Sequence, residues 1–235
     1  MRKRIKLIIV FVMVFSGVVT YLFTQYGIQL LADEGTQAKG ETMKLPKPRF
    51  KSPTSVEEAL LGRRSVRDYG KDSLTIEQIS QLLWAAQGLT AKWGGRTAPS
   101  AGALYPLEIY LVVGEVKGLE PGLYHYNPGK HIITQKKEGD LRKKITQASL
   151  YQDEISKAPA TLIIAAVYER TQKKYGKRAV RYVHMEVGSV GENIYLQAES
   201  LNLGTVFIGA FDDDEVKKAM GIEEEPLGIM PVGKS

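Results

Sequence analysis

A chain of 235 residues, 43% of them hydrophobic and 25% charged, suits one globular domain of about 180 to 200 residues with an appendage, and it is long enough to bury a sizeable core. The formal net charge of +6 is split: Arg2, Lys3, Arg4 and Lys6 against Asp33 and Glu34 give +2 before residue 36 and +4 after it. So mild a surplus, without a basic stripe interleaved with aromatics, gives no reason to expect nucleic acid as a partner, and the lack of cysteine excludes disulfides, thiolate nucleophiles and cysteine-ligated metal or iron-sulfur sites.

After the basic start, Leu7 to Phe23 carries no charge, and the apolar character extends to Leu31. A helix over the 17-residue run reaches roughly 25 Å, near the lower limit for a bilayer crossing, and the extension makes a span comfortable. Residues 1–32 therefore read as an uncleaved single-pass anchor, or else as an export signal that is cut and leaves a secreted protein. The basic flank stays cytoplasmic under the positive-inside rule, which places the following domain outside the cytoplasm. Residues 33–52 are polar, hold Gly and Pro and lack apolar periodicity, as a tether would. The folded domain is expected over 53–235.

Ser55-Val56-Glu57-Glu58 has the capping-box pattern and opens a short helix ending at Gly62. At its exit stand Arg63, Arg64, Ser65 and Arg67, three planar guanidiniums and a hydroxyl matched to phosphate oxygens; the plainer reading is a solvated basic surface. Thr75-Ile76-Glu77-Gln78 opens a second helix, with Ile76, Ile79, Leu82, Leu83 and Ala86 at helical spacing, Trp84 as core and Gly88 as its close. Pro99, Ser100, Ala101 and Gly102 then form either an ordinary turn before a strand or a bend that lets a flat ligand approach the backbone, with amides and Ser100 free to donate. Leu107 to Val113 reads as a strand, and Gly122–Tyr126 with His131–Thr134 as a hairpin across Asn127-Pro128-Gly129. His125, His131 and His184 lack metal-ligand spacing, so no metal is expected, and surface positions on the hairpin account for the first two.

Asp140 is expected to cap a helix running to Ala148, and Ala160 to Val167 is a continuous apolar run, a strand buried on both faces. From Arg178 to Leu201 runs the longest helical pattern, apolar on more than one face. Gly188 and Gly191 inside it each cost about 1 kcal/mol relative to Ala, which suggests that a second helix or a second subunit packs tightly there. Thr205 to Phe211 is expected as a buried strand interrupted at Gly209-Ala210, Asp213 to Met220 as a helix and Leu227 to Val232 as the last strand. This mixture, without βαβ alternation or a Rossmann fingerprint, predicts an α+β domain with a central mixed sheet flanked by helices.

Taken together, Arg-Arg-Ser-Val-Arg from Arg63, Pro-Ser-Ala-Gly-Ala-Leu-Tyr-Pro-Leu-Glu from Pro99, Gly-Leu-Tyr-His-Tyr from Gly122, Lys-Tyr-Gly-x-Arg from Lys174 followed by Arg181-Tyr182, and Gly-Thr-Val-x-Ile-Gly-Ala-Phe from Gly204 resemble the flavin-dependent nitroreductase superfamily, in its SagB-type or ThcOx-like dehydrogenase branch. The match is collinear from about Val56 to Lys234. The resemblance implies an FMN-binding α+β fold and a homodimer with two interfacial sites. It implies that Arg63, Arg64, Ser65 and Arg67 hold the phosphate, ribityl chain and pyrimidine edge. Pro99, Ser100, Ala101 and Gly102 would approach the flavin from the partner subunit, with Gly209 and Ala210 beside the ring. The implied activity is ping-pong oxidoreduction between NADH or NADPH and a small organic acceptor such as a quinone or nitro-compound. In the peptide-modifying branch a Lys-Tyr pair assists azoline-to-azole oxidation, and Lys174-Tyr175 stands in that place; a surface loop is the plain alternative. A flavin-binding electron relay is a third expectation.

Two departures stand out. Many relatives read Gly-His before the Gln-Asn of the long helix where this chain has Gly188-Ser189 and Glu192-Asn193, and where the family commonly continues past Gly-Lys with further basic residues this chain reads Gly233-Lys234-Ser235, so either Lys234 supplies charge at the phosphate or the phosphate site is less complete. An extracytoplasmic location would also remove ready access to NADPH.

Overall fold

Both sequence-predicted helix starts form for the expected reason. In the computed structural model, which describes residues 40–235, helix α1 (Val56–Gly62) has a complete capping box: the Glu58 amide donates to Ser55 Oγ at 3.1 Å and the Ser55 amide to Glu58 Oε2 at 2.6 Å. Helix α2 (Ile76–Gln87) repeats the device with Thr75 and Gln78. Gly88 after it is extended rather than left-handed; its lack of a side chain is required by packing, since a Cβ there would sit 2.1 Å from the Trp84 ring.

The main sheet has seven strands. In chain order they are β1 (Thr42–Lys44), β3 (Leu107–Val113), β5 (Gly122–Asn127), β6 (Ile132–Glu138), β7 (Ala160–Ala166), β8 (Leu203–Thr205) and β9 (Glu225–Lys234); β2 (Leu74–Thr75) and β4 (Val116–Lys117) form a separate parallel pair. Spatial order is β1-β6-β5-β3-β7-β9-β8, and every neighbouring pair in it is antiparallel. The expected mixed sheet is therefore corrected to an antiparallel one. Local pattern fixes which face a side chain takes but not strand direction, because β3 and β7, which pair over seven residues, are separated by a hairpin and two helices.

Alternation along the central strands feeds two cores. Leu107, Ile109, Leu111 and Val113 of β3, with Leu162 and Ile164 of β7, face α2 and the long helix α6 (Ala179–Ser200). Tyr110, Val112, Ile163 and Ala165 face α3 (Arg142–Ala148), α4 (Glu154–Lys157) and α7 (Asp213–Met220), where Ile145, Ile155, Val216 and Met220 wait. Covering both faces of an antiparallel sheet explains why β7 is an uninterrupted apolar run. Each such side chain contributes about 1.5–3 kcal/mol by leaving water.

Three expectations shift. The fold begins before residue 53: Thr42–Lys44 pairs with β6, Leu45 is buried, and the Arg49 amide donates to Gln81, so part of the expected tether belongs to the domain. Asp140 bonds the Arg142 amide and guanidinium, but the position before α3 is Leu141. His131 is half-buried rather than a free surface residue; its Nδ1 meets the Tyr126 hydroxyl at 2.9 Å and its Nε2 meets Pro46 O at 2.9 Å and Ser80 Oγ at 2.8 Å, tying residue 46 to α2 and the hairpin. Helix α5 (Tyr168–Tyr175) was not foreseen. The expected anchor at residues 7–31 lies outside the described residues, among which no helix is long and apolar enough to cross a membrane.

Candidate functional site

The arginine corner is held against the sheet edge by its own backbone. Ser65 makes a parallel bridge with Thr205 of β8, and the Val66 amide donates to Thr205 O at 2.9 Å. Val66 seats over Gly204, where a Cβ would come within 2.5 Å of Val66 Cγ1. The buried Tyr69 hydroxyl donates to Val66 O and Pro231 O, its pKa pushed far up by burial.

Above this seat, Ser65 Oγ lies 3.1 Å from the Tyr195 hydroxyl, which accepts from the Phe207 amide at 2.7 Å. That leaves Tyr195 a proton to give Ser65, and Ser65 a proton for an outside acceptor. The Arg63 guanidinium stacks 5.0 Å over the Tyr195 ring. Arg64 donates to Leu61 O and Arg63 O, covering the carbonyl end of α1. Among the described residues neither guanidinium has a carboxylate within salt-bridge distance, whereas Arg67 Nε is 3.5 Å from Glu154 and Lys234 Nζ is 3.3 Å from Asp72. Two unneutralised guanidiniums beside an exposed hydroxyl fit a phosphate; Lys234 reaches the same corner, where the Gly70 amide donates to its carbonyl, with its charge already engaged.

The segment after β8 departs from the expected strand. Pairing with β9 stops at Thr205, and only Ile208 returns, exchanging both hydrogen bonds with Ile229. The Phe207 ring causes the departure by wedging between Gly191 of α6 and Gly228 of β9, whose added Cβ atoms would lie 2.8 and 2.4 Å from ring carbons. Gly191 thus admits a residue of its own chain, whereas an atom added at Gly188 would meet nothing within 4 Å. Gly209 and Ala210 follow, exposed, with Ala210 O accepting from Gln152 at 2.7 Å.

Pro99, Ser100, Ala101 and Gly102 form a second, separate group. Ala101–Ala103 is a 3₁₀ turn in which Gly102 has φ of 65°, and Ala103 and Tyr105 also lie in the left-handed region. Ser100 Oγ is not free as expected: it accepts the Tyr105 amide at 2.9 Å. Lys174 and Tyr175 reach this bend from the last turn of α5, so the alternative reading holds for an exposed surface but not for a loop. A Cβ at Gly102 would lie 2.8 Å from the Tyr175 hydroxyl and 3.0 Å from Lys174 Nζ. Tyr175 packs edge-on to Tyr182 at 5.0 Å, and Lys174 is exposed, without the burial that a general base calls for.

Beneath the bend lies a polar network with no motif in the sequence to mark it. Glu186 of α6 is 3% exposed and accepts from Gln87 at 3.2 Å, while Gln87 Oε1 accepts from Arg96 at 3.0 Å. Burial raises the Glu186 pKa, opposed by Ser100, Gln87 and Arg96. Arg96, its own pKa lowered by burial, stacks 4.3 Å over Tyr105, and its Nε has no partner. Beyond Tyr105, Arg170 donates to Tyr105 O and to Glu108, which His125 also binds; burial pushes the Glu108 carboxyl up, but these two partners hold it below its usual range. His125 is therefore part of this network, not a free hairpin residue.

Among the described residues no hydrogen bond or ion pair joins the two groups. They are carried on one helix, Glu186 and Tyr195 of α6, about 13 Å apart along its axis. A cavity of about 450 Å³ between residues 49–56, α2 and α6 contains none of the expected site residues. Among the described residues no group of three or more His, Asp or Glu side chains is placed to hold a metal.

The nitroreductase family profile matches residues 60–234. A nitroreductase-like protein of Methanocaldococcus jannaschii is 48% identical over 195 residues, covering 83% of this chain and 98% of that protein. The microcin B17-processing protein McbC of Escherichia coli is 27% identical over 168 residues, with 69% of this chain and 62% of McbC aligned. Among solved structures, a nitroreductase-like protein of Ralstonia eutropha superposes with a TM-score of 0.74 at 30% identity, over 85% of this chain and 92% of the other. Agreement of profile, sequence and fold over nearly the whole described chain has one reading: the protein belongs to the nitroreductase family.

Proposed function

We propose that the protein is an FMN-dependent oxidoreductase that works by a ping-pong mechanism, taking reducing equivalents from NAD(P)H and passing them to a small organic acceptor such as a quinone or nitro-compound. The observation that carries this is the corner itself, where Arg63 and Arg64 stand without acidic partners beside the exposed Ser65 hydroxyl. Bound there, FMN would supply a two-electron acceptor that takes a hydride from the nicotinamide in one half-reaction and reduces the acceptor in the next. Arg63 and Arg64 would hold its phosphate, Ser65 would donate a hydrogen bond, and Gly209 and Ala210 would leave room for the ring. Arg67, half committed to Glu154, would add positive charge nearby.

The separation of the Pro99–Gly102 bend from the corner within one chain supports a homodimer in which each bend serves the partner's corner. A membrane tether through residues 1–32, with the domain outside the cytoplasm, is part of the same proposal; protease accessibility of the C-terminus in intact cells tests it. Lys174 and Tyr175 against Gly102, together with the relationship to McbC, favour a second reading, azoline-to-azole oxidation in a processed peptide. Adding NADH or NADPH to the FMN-loaded protein without oxygen separates enzyme from passive relay: bleaching of the flavin supports the oxidoreductase, and no bleaching with either nicotinamide removes it. Turnover of an azoline peptide that Lys174→Ala abolishes, with nitro-compound reduction kept, would move the assignment to the second reading.

A further inference from the structure

The hydrogen bonds of the Tyr195 hydroxyl run in one direction. A backbone amide can only donate, so the Phe207 N–H, at 2.7 Å, makes the phenol oxygen an acceptor. Among the described residues Ser65 Oγ, 3.1 Å away, is its other hydrogen-bond partner, and the phenol proton goes there. Ser65 thus accepts from the half-buried side of the corner and turns its own proton to the exposed side, where it must donate to something from outside.

Both ends of this short relay are fixed. Phe207 cannot shift its amide freely, because its ring fills the slot where added Cβ atoms at Gly191 and Gly228 would lie 2.8 and 2.4 Å away. Ser65 is bridged to Thr205 of β8, and the Val66 amide beside it donates to Thr205 O at 2.9 Å. The Tyr195 ring has a use of its own, since the Arg63 guanidinium lies 5.0 Å over it. Phenylalanine would seat Arg63 as well, so the hydroxyl has to be explained separately, and the Phe207 amide explains only half of it. The bond to Ser65 is the other half.

We propose that Tyr195 is a positioning residue whose hydroxyl turns the Ser65 proton outward and so makes the corner select a phosphorylated flavin over riboflavin. The ionised oxygens of a phosphate only accept, whereas the riboflavin chain ends in a hydroxyl that can also donate. This rests on the proposed FMN site, and it assigns to Tyr195 no contact with FMN. Four forms of the full chain test it: wild type, Tyr195→Phe, Ser65→Ala and the double variant. Flavin fluorescence quenching reads the dissociation constants of FMN and of riboflavin, and amide hydrogen exchange at Phe207 reads the bond behind the phenol.

Tyr195→Phe keeps the ring under Arg63 and should weaken FMN by about tenfold, the scale of one hydrogen bond to a charged group, with riboflavin changed by less than about threefold and protection lost at Phe207. Ser65→Ala should shift the ratio of the two constants by a similar factor. The double variant should again lose about tenfold rather than a hundredfold, because the two residues act through one proton. A tyrosine that only supports the fold would weaken both flavins alike. Equal losses for FMN and riboflavin in Tyr195→Phe, wild-type FMN affinity there, or losses that multiply in the double variant would overturn the proposal. If Tyr195→Phe cannot be purified folded, Ser65→Ala decides the matter, and an unchanged ratio there overturns it. A wild type that takes up no FMN would overturn the proposed function and this role with it, whereas a wild type that binds FMN beside an unaffected Tyr195→Phe overturns this role alone.

Discussion

Two glycines three residues apart in one helix should respond to the same substitution with opposite signs. At Gly191 an added methyl would lie 2.8 and 3.0 Å from Phe207 Cδ2 and Cε2, against an ordinary carbon contact of about 3.5–4.0 Å, so the ring must retreat by roughly 0.5–1 Å. It has little room, because the ring's far end is already within 2.4 Å of where a Gly228 Cβ would stand. Overpacking of this kind costs about 1–3 kcal/mol, offset by about 1 kcal/mol of improved helix propensity, which leaves a net loss of about 0–2 kcal/mol for Gly191→Ala. Gly188→Ala meets open space and should keep the whole gain of about 1 kcal/mol. Urea unfolding at 25 °C with unchanged m-values measures both, and for a domain of this size each kcal/mol moves Tm by about 2–4 °C. Two variants stabilised alike would refute the wedge; a destabilised Gly188→Ala would show that something covers that position, as a tight subunit seam would.

Further outcomes follow from the same contacts. Arg64→Ala should weaken FMN binding by about ten- to a hundredfold, the loss expected for a charge-assisted hydrogen bond, and Arg67→Ala by less because Glu154 already engages it; fluorescence titration orders the two. Gly102→Ala combines a φ of 65° with a methyl 2.8 Å from the Tyr175 hydroxyl and should cost about 1–3 kcal/mol of stability, while Gly139→Ala, also at positive φ but in open space, should cost only the backbone share; comparison of their Tm values separates contact from conformation. His131 has its pKa lowered by burial, so the unfolded chain binds the proton more readily than the folded one. Its contribution is complete above the unfolded value near 6.5 and is lost as pH falls from there through the folded value, so urea stability should drop on the acid side of that window and His131→Gln should flatten the drop.

Much of the scaffold was legible from residues close together in the chain. The capping boxes at Ser55 and Thr75, the hairpin turn at Asn127 and the buried β7 run all act within a few residues, and each formed where expected. What escaped depends on distant partners. Strand direction in the sheet, and the capture of Thr42–Lys44 by β6, are set by pairing across the whole domain. The strand expected from Thr205 ended early because Phe207 found a slot made by Gly191 and Gly228, residues on two other elements. For the site, Arg63 to Arg67 were marked by composition alone. Glu186 gave no signal, since one of three acids in a long helix reads as a solvated position until its burial and the bond from Gln87 are seen. Lys174 and Tyr175 sat in an apparent polar loop because α5 is short and strongly charged, with Thr171 its one buried residue.

The most direct measurement is the visible absorbance spectrum of the full-length protein loaded with FMN and then mixed anaerobically with NADH or NADPH. A stoichiometric yellow complex that bleaches on mixing and regains colour when a quinone or nitro-compound is added is the predicted result. A protein that stays colourless in excess FMN would contradict the account.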